Sequence, residues 1–250
     1  MRRVPSAAHE AALPSAAPFP YHDWIQAKDS LEAATLRGTF YALVTGASGT
    51  GKTSLCHALS IDRTKSPVLY LSASRVSLLS VVRYFAQVLR VTPRRSSVET
   101  TKALVDVLRE RSARPLIWID EADRLPLGTL TELRSLVEFD PEPAPLTSLV
   151  LSGPPELRAT LDAPDMFPLK RRVSVRVVLE GLRRDELDLF LAHRFGDGAR
   201  RVPTALKDEL FERTRGTPAL VDRIVGHALG RTQRTLGDAD LREALDGAGL

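Results

Sequence analysis

The segment from residue 46 to residue 53 restricts the possible folds of this chain more than any other segment. It reads Gly-Ala-Ser-Gly-Thr-Gly-Lys-Thr and fulfils the pattern G-x-x-x-x-G-K-[S/T] of a phosphate-binding loop. An apolar run typical of a strand, Thr39–Val44, precedes the loop, and a helical pattern, Thr53–Leu59, follows it. The sequence therefore predicts an α/β fold in which this loop joins the first strand to the next helix.

The chemistry of phosphate binding explains this spacing. Glycines allow successive backbone N–H groups to turn toward one phosphate, and the N-terminus of the following helix adds partial positive charge. Lys52 can reach the β- and γ-phosphates, and the Thr53 hydroxyl can ligate Mg²⁺, so we predict ATP and Mg²⁺ as ligands. The predicted nucleotide contacts of the loop are Gly46, Ala47, Ser48, Gly49, Thr50, Gly51, Lys52, Thr53 and Ser54.

A second motif closes the apolar run Pro115–Asp120, which ends in two adjacent carboxylates, Asp120 and Glu121. Because open α/β sheets bind ligands at the carboxyl ends of their strands, both acids are expected near the phosphates. We predict that Asp120 holds Mg²⁺ through water and that Glu121 orients and deprotonates the attacking water. P-loop kinases lack this pair of acids, so the sequence favours an ATP hydrolase, with Lys52 as a further catalytic residue.

Short apolar runs alternate with helical patterns up to Leu179, which predicts a parallel sheet covered by helices on both faces. After Leu179 only helical patterns follow, so a small helical subdomain is predicted there. Residues 1–18, rich in Ala, Pro and Ser, are predicted to be a mobile arm, residues 19–180 the nucleotide-binding core and residues 181–250 the helical subdomain. The predicted strands are Thr39–Val44, Pro67–Ser72, Pro115–Asp120, Ser148–Ser152 and Val173–Leu179.

The two motifs and the stretches that follow them resemble the ExeA-like group of AAA+ ATPases, which is close to the transposition ATPases of the TniB, TnsC and MuB type. Besides the loop, the resemblance includes Asp120–Leu125, Leu149–Arg158, Leu169–Arg176 and Gly216–Pro218. It implies an αβα sandwich whose five-stranded parallel sheet has the order 5-1-4-3-2, with a C-terminal helical lid. It also implies an ATP-dependent homo-oligomer, either a closed ring or a helical filament.

In this family, a neighbouring subunit completes the nucleotide site with an arginine. The resemblance assigns this arginine finger to Arg172, with the adjacent Arg171 as the alternative. The other interpretation is that both side chains are solvated or pair with carboxylates of the same chain.

Two positions depart from the family pattern. Pro154 stands where relatives often have Gln, so the Ser152 hydroxyl is an alternative contact to the γ-phosphate, although a serine at a strand end commonly bonds backbone groups. Ala219 stands where relatives often have Arg at the start of a lid helix. Arg223, one helical turn further on, is either its replacement at the phosphates or an exposed helix residue. Both departures predict slow hydrolysis rather than weak nucleotide binding.

The charge balance permits a polyanionic partner. The 250 residues include 35 Lys and Arg against 31 Asp and Glu, which gives a net charge of +4. Repetition around an oligomer would multiply a weak basic patch, so we predict binding of double-stranded DNA without sequence preference. The candidate patches are Arg75, Arg90/Arg94/Arg95, Arg183/Arg184, Arg200/Arg201 and Arg231/Arg234.

Other classes of protein are disfavoured. The single cysteine, Cys56, excludes a disulfide framework and fits a reducing compartment, so we expect a cytoplasmic protein. No apolar run has the ~18 residues of a membrane span, and no membrane partner is expected. The five histidines lack metal-ligand spacing. Tyr21 and Trp24 lie where related folds place residues against adenine, with packing of the N-terminal segment as the alternative.

These features favour an AAA+ ATPase that regulates transposition or selects its target, with a transposase or another recombination protein as partner. The alternatives are a nucleotide switch that assembles with ATP, a secretion-associated ExeA-like ATPase without a DNA role, and a helicase or replication-initiator loader. ExeA proteins usually carry a membrane segment and a wall-binding domain, and a loader would need an extra DNA-binding domain. We expect neither within these 250 residues.

Overall fold

The computed structural model of the protein describes residues 18–61, 67–73, 75–110, 114–138, 147–232 and 234–249, with only the backbone described at 61, 135 and 136. The predicted arm lies outside the described residues except for its last position. The described residues form two units by their contacts. The sheet unit comprises residues 27–45 and 52–178, and the helical unit comprises residues 18–26, 46–51 and 179–249. The predicted limits of arm, core and lid stay predictions.

One parallel sheet contains all five predicted strands, in the order β2-β3-β4-β1-β5. This is the expected order 5-1-4-3-2 read from the other edge, and it confirms the α/β fold class. The strands are β1 (Tyr41–Gly46), β2 (Val68–Ser72), β3 (Leu116–Asp120), β4 (Ser148–Gly153) and β5 (Val173–Leu179).

Helices surround the sheet and form the C-terminal part. Those before β4 are α1 (His22–Arg37), α2 (Lys52–Ile61), α3 (Leu78–Val88), α4 (Ser97–Glu110), α5 (Leu127–Glu132) and α6 (Arg134–Glu138). Those after it are α7 (Glu156–Asp162), α8 (Phe167–Lys170), α9 (Leu187–Phe195), α10 (Thr204–Thr214), α11 (Pro218–Arg231) and α12 (Asp238–Ala248).

Burial differs between the central and the edge strands, and this explains the sequence patterns. Every residue of β1, β3 and β4 is buried, so these strands are continuous apolar runs ending in small or acidic residues. In the edge strand β5, buried and exposed positions partly alternate, because one face lies against the core while the other meets solvent.

The pair of helices between β2 and β3 is amphipathic. The buried face of α3 consists of Leu78, Val81, Val82, Phe85 and Ala86, whose spacing of three and four residues places them on one side of the helix. Helix α4 likewise buries Leu104, Val105 and Leu108. Charged residues of both helices therefore point away from the core.

The structure differs from the sequence-based expectations in two places. The apolar spacing over 127–138 predicts a single helix, whereas the structure has two short helices, α5 and α6, separated at Leu133. Helices α7 and α8 were not expected, because segments of seven and four residues are too short to show a helical period.

The helical unit contains α9 to α12. A bidentate ion pair ties α9 to α11, since the Arg194 Nε and Nη2 atoms donate to the Asp222 carboxylate at 2.8 and 2.7 Å. The turn before α11 requires Gly216, which has φ +66° and whose added Cβ would lie 2.2 Å from the Leu182 carbonyl oxygen. Among the described helices, none is both long and apolar enough to cross a membrane.

Candidate nucleotide-binding site

The phosphate loop has the backbone conformation that its glycines predict. Gly49 and Gly51 have φ values of +86° and +97°, a backbone conformation that glycine adopts readily and that anion-binding loops use. The Thr50 hydroxyl donates to the Ala47 carbonyl at 2.9 Å, and the Tyr21 hydroxyl donates to the Thr50 carbonyl at 2.7 Å. The loop is therefore fixed by contacts on its own carbonyl groups, and one of these comes from the Thr50 N–H, which donates to the Ala47 carbonyl at 3.4 Å.

The beginning of α11 packs directly on this loop. The Ala219 N–H donates to the Gly49 carbonyl at 3.2 Å, and a Cβ at Gly49 would lie 2.7 Å from the Ala219 Cβ. The departure from arginine at position 219 thus coincides with close backbone packing. Arg223 donates from Nη2 to the Ala248 carbonyl at 3.3 Å, so its guanidinium is engaged at the end of α12. Its proposed role at the phosphates stays a prediction.

Two aromatic residues precede the loop in sequence and belong to the same unit. Tyr21 bonds the loop as described, which sequence reasoning left open between packing and adenine contact. Trp24 is 6% exposed, and its buried indole N–H has no hydrogen-bond partner within the described residues. A buried donor without a partner is uncommon in folded proteins and fits a site that a ligand group completes.

Lys52 opens α2, immediately after the loop. Burial lowers the pKa of its ammonium group, and the carboxylates of Asp120, Asp123 and Glu121 partly oppose this shift, in that order. Negative charge stabilises the ammonium form of a buried lysine, and a phosphate would act in the same direction as these carboxylates.

Asp120 is the centre of a buried hydrogen-bond network at the carboxyl end of β3. Its side chain accepts the Thr53 hydroxyl at 2.7 Å and the Tyr70 hydroxyl at 3.1 Å on Oδ2. On Oδ1 it accepts the Ser152 hydroxyl at 2.7 Å and the Glu121 N–H at 3.0 Å. Asp120 is only 5% exposed, so both carboxylate oxygens are held in one orientation.

The Ser152 hydroxyl is directed to this network. It donates to Asp120 and accepts the Trp118 indole N–H at 2.8 Å. The serine at this strand end thus binds the acid of the neighbouring strand, and a role at the γ-phosphate stays a prediction. Sequence reasoning missed Trp118 and Tyr70. The only signal for Trp118 was its position two residues before Asp120, on the same face of the strand.

The oxygen ligands at this edge fit Mg²⁺. The Thr53 hydroxyl and the Asp120 carboxylate are 2.7 Å apart, and Mg²⁺ is commonly held by one or two protein oxygens together with water and phosphate. The described residues contain no cluster of three or more His, Cys, Asp or Glu side chains for a metal. A Mg²⁺ site in which phosphate oxygens and water supply the remaining ligands is consistent with having only Thr53 and Asp120 as protein ligands.

Glu121 adopts a left-handed backbone conformation with φ +53°, which is uncommon for a residue other than glycine. Its Oε2 accepts from the Ser72 hydroxyl at 3.3 Å and pairs with the Arg124 Nη1 at 3.1 Å. Neither partner was identified from the sequence. The side chain is 42% exposed, so Glu121 can reach solvent water, whereas Asp120 is almost completely buried.

Arg172 lies at the amino ends of the strands (the amino edge of the sheet), whereas Asp120 lies at the carboxyl ends. Arg172 precedes β5, where the Ser174 hydroxyl donates to the Tyr41 carbonyl at 3.3 Å at the start of β1. Tyr41 of β1 and Ile117 of β3 both pair with Leu149 of β4, so they lie at the same level of the sheet. Asp120 is three residues beyond Ile117 along β3. Arg172 and Asp120 are thus separated by five residue steps, or about 17 Å along the strand direction.

A carboxylate of the same chain holds Arg172. Its Nε contacts the Glu138 Oε1, and its Nη2 donates to the Glu138 Oε2 at 3.1 Å. Tyr41 donates to the same carboxylate at 3.2 Å, and burial raises the pKa of the Tyr41 hydroxyl to about 12 although Arg172 and Arg134 act in the other direction. The adjacent Arg171 lies over the Phe167 ring, 5.5 Å from its centroid. The assignment of either arginine as a finger stays a prediction.

Comparison with known proteins agrees with this geometry. Residues 38–161 match the family model of the AAA domain. The General secretion pathway protein A of Aeromonas hydrophila is 26% identical over 204 residues, which cover 77% of this chain and 37% of that protein. This chain therefore spans little more than a third of the length of that relative. These two matches support an AAA+ ATPase of the ExeA type.

Solved structures share the architecture. Cdc6p of Pyrobaculum aerophilum has a TM-score of 0.75 at 21% identity, covering 93% of this chain and 69% of that chain. The ORC2 protein of Aeropyrum pernix has a TM-score of 0.71 at 16% identity, covering 95% and 70%. A Walker-type ATPase of Pyrococcus abyssi has a TM-score of 0.66 at 20% identity, covering 89% and 71%. At such identities, these likenesses establish the P-loop AAA+ fold alone.

Proposed function

We propose that this chain, whose residues 38–161 match the AAA domain, binds Mg²⁺-ATP and hydrolyses it. The observation that carries the proposal is the 2.7 Å hydrogen bond between the Thr53 hydroxyl and Asp120. It joins the residue that follows the loop lysine to the buried acid at the end of β3. Two oxygens that can share one cation beside a phosphate loop are what ATP binding requires.

Each residue has a defined task in this proposal. Lys52 binds the β- and γ-phosphates, and the N–H groups of Gly49 and Gly51 face the phosphate oxygens. Thr53 and Asp120 hold Mg²⁺, which when bound offsets the charge of the phosphates. The unpartnered indole N–H of Trp24 donates to the nucleoside part of ATP.

Glu121 is the proposed general base. Its carboxylate accepts a proton from the water that attacks the γ-phosphate. For this step it must exchange its contacts with Ser72 and Arg124 for a contact with that water. The exposure of the side chain and the weakness of surface ion pairs make this exchange inexpensive in free energy.

Assembly of several copies would complete the site. Because Arg172 lies about 17 Å from Asp120 along the strand direction, it is too far from its own acid to act there. We propose that it stabilises the transferring phosphate in a neighbouring copy of a ring or helical filament. The pair with Glu138 then represents the state before such a contact forms.

Phosphate release and sedimentation test this function together. For the wild-type chain, the rate of phosphate release per subunit should rise with protein concentration. ATP should also shift the protein to larger assemblies in sedimentation. The Lys52→Ala variant, which lacks the phosphate contact, is the matched control. A wild-type rate equal to that of this variant at all concentrations would contradict hydrolysis.

We further propose a role with double-stranded DNA in the cytoplasm, as a transposition regulator or target selector that works with a transposase. The net charge of +4 and the resemblance to transposition ATPases support this role. Double-stranded DNA should stimulate phosphate release at low salt and should promote large assemblies. An unchanged rate and an unchanged sedimentation profile would contradict the DNA role while leaving the ATPase proposal intact.

A second candidate is an ATPase associated with protein secretion. The 26% identity to the General secretion pathway protein A favours it. In this case ATP alone would drive assembly, and DNA would have no effect on turnover. The same two measurements therefore separate the two candidates.

A further inference from the structure

A groove of about 790 Å³ lies among α3, α4 and the connection between them. Four cations line it, and all four side chains are exposed. They come from α3 (Arg83), from the connection (Arg94 and Arg95) and from α4 (Lys102). The sequence indicated only the two central arginines, because Arg83 and Lys102 are brought beside them by the packing of the helices.

In three other basic clusters, Arg183/Arg184, Arg200/Arg201 and Arg231/Arg234, at least one arginine has a carboxylate partner. Arg184 pairs with Asp208 at 2.6 Å, and Arg231 pairs with Glu243 at 2.5 Å. Arg234 and Arg200 also have carboxylate partners, at 3.1 and 3.6 Å. Within the described part of the chain, none of the four groove cations is in an ion pair. Their charge is therefore available to an external anion.

The two carboxylates of the groove offset only part of this charge. Glu99 is turned onto the start of α4, where its Oε2 accepts the Ser96 N–H at 3.3 Å while the Ser96 hydroxyl accepts the Glu99 N–H at 3.1 Å. This arrangement is a capping box, in which the carboxylate accepts a backbone N–H at the N-terminus of its own helix. Asp106 is the other acid, and it has no ion pair among the described residues. Four cations thus face two carboxylates, and the helix N-terminus adds positive charge.

A buried threonine fixes the segment that carries the two central arginines. Thr100 is 0% exposed, and its hydroxyl accepts the Arg94 N–H at 2.9 Å while donating to the Ser96 carbonyl at 2.8 Å. The Val91 N–H donates to the Ala86 carbonyl at 2.7 Å. Since the backbone is already ordered, little conformational entropy is lost when an anion binds to Arg94 and Arg95.

The composition of the groove indicates which class of anion it accepts. Its lining has no aromatic or large apolar side chain, only Pro93 and Ala103 besides the charged residues, whereas protein interfaces depend on such anchors. From Glu99 to Asp106, α4 rises about 10 Å. One DNA strand presents about three phosphates over that distance. Charge and size therefore match a phosphate backbone.

We propose that this groove binds the sugar-phosphate backbone of double-stranded DNA, which locates the DNA contact of the proposed function on the α3–α4 surface. Arg83, Arg94, Arg95 and Lys102 are the contacting residues. Because contacts to the sugar-phosphate backbone carry no base information, binding is independent of sequence.

Fluorescence anisotropy with a short labelled duplex tests the proposal. The double variant Arg94→Ala/Arg95→Ala should lose on the order of tenfold or more in affinity near 0.1 M salt. The slope of log affinity against log salt should fall by about 0.9 for each lost contact, or by about 2 in total. Thr100→Val, which keeps every charge but removes the anchor of the segment, should weaken binding to a smaller extent without changing the slope.

The matched control is Arg231→Ala/Arg234→Ala, which removes the same charge where the arginines are ion-paired, and its affinity should stay near that of the wild type. Thermal unfolding and ATP binding verify that all variants are folded. A wild-type chain that binds duplex, with an Arg94/Arg95 double variant of equal affinity and slope, overturns the groove assignment alone. Polyglutamate that competes as well as the duplex, charge for charge, overturns it in favour of an acidic protein. No duplex binding by the wild type at low salt overturns the DNA role as well.

Discussion

The two edges of the sheet hold their charged residues in opposite ways. At the carboxyl edge, Asp120 is 5% exposed, and both of its oxygens are engaged by side chains or backbone. At the amino edge, Arg172 and Glu138 have side chains that are 42% and 28% exposed. Removing one partner from a buried polar network costs about 1–3 kcal/mol. Separating an exposed ion pair costs about 0–1 kcal/mol.

This difference teaches which parts of the site are permanent and which can move. In the proposed function, the buried network holds Asp120 in the orientation for Mg²⁺ in every copy, whether assembled or not. In the proposed function, the exposed pair allows Arg172 to leave Glu138 when the phosphate of a neighbouring copy comes within reach. Glu121 lies beside the buried network, but the side chains that contact its carboxylate, Ser72 and Arg124, are exposed. Its contacts are therefore as easily separated as the ion pair of Arg172.

The largest expected effect comes from Glu121→Gln, which removes the proposed base and leaves the buried network intact. Phosphate release should fall about 10²- to 10⁴-fold, as expected for loss of a general base. ATP binding should persist, so an ATP-bound assembly should accumulate in sedimentation. Glu110→Gln, at an exposed position at the end of α4, is the matched control. Unchanged turnover in Glu121→Gln would refute the assignment of the base.

Arg172→Ala should come next, with turnover reduced about 10²- to 10³-fold, because a charge that stabilises the transition state is lost. Mixing this variant with Lys52→Ala should restore activity, since the second variant offers an intact Arg172 to the intact site of the first. Each variant alone should be inactive. A mixture that stays inactive, although the two variants assemble together, would show that Arg172 does not act between copies. The same mixture with Arg171→Ala in place of Arg172→Ala tests the adjacent alternative.

Ser152→Ala should have a smaller effect, mainly on stability and Mg²⁺ affinity. It leaves the buried Trp118 N–H without a partner and removes one of the two hydrogen bonds on the Asp120 Oδ1, so the free energy of unfolding should fall by about 1–3 kcal/mol. Urea unfolding measures this loss, and a titration of Mg²⁺ at fixed ATP should show a raised half-saturation concentration. Ser174→Ala, at an exposed position of β5, is the control.

A double-mutant cycle sharpens this prediction. With Trp118→Phe, the donor that Ser152→Ala would leave unpaired is already absent. The effects of the two substitutions on the free energy of unfolding should therefore not add. Strict additivity would mean that the hydrogen bond between the two side chains does not contribute to the network.

The sequence predicted the carboxyl edge better than the amino edge, and the reason is physical. The loop, Asp120 and Glu121 are contiguous motifs whose chemistry is set by local spacing. Tyr70 and Trp118 join them only through the register between β2 and β3, in which these two residues are paired. No local pattern reveals such a register.

The strand order could be expected from family resemblance, and the structure has it. The pairing of Arg172 with Glu138 could not be predicted, because Glu138 is 34 residues away in sequence. Only the packing of α6 at the amino edge brings the two residues together. The sequence left open whether Arg172 pairs within its own chain. The structure contains that pair, and the function of Arg172 between copies remains a matter for the complementation experiment.

Glu138→Gln should have the smallest effect, and its sign distinguishes a restraining pair from a purely structural one. Glutamine keeps the shape and can still accept a hydrogen bond from Tyr41, but it no longer attracts the guanidinium by charge. If the ion pair opposes release of Arg172 by up to about 1 kcal/mol, its loss should raise turnover in the assembled protein by at most about fivefold. Stability should change by less than about 1 kcal/mol. The effect should appear in kcat at saturating ATP and not in the KM for ATP, because the ATP-binding residues are unchanged.

Placing the substitution on one side of the contact isolates this effect. In the mixture of Lys52→Ala and Arg172→Ala copies, Glu138→Gln should raise turnover only when it is carried by the copy that donates Arg172. Tyr41→Phe is the control, since it removes one hydroxyl from Glu138 and leaves the ion pair in place. Equal effects in donor and recipient copies, or a fall in turnover in the donor, would mean that Glu138 positions Arg172 for catalysis or merely stabilises the amino edge. The comparison between a fixed and a releasable edge would then no longer hold.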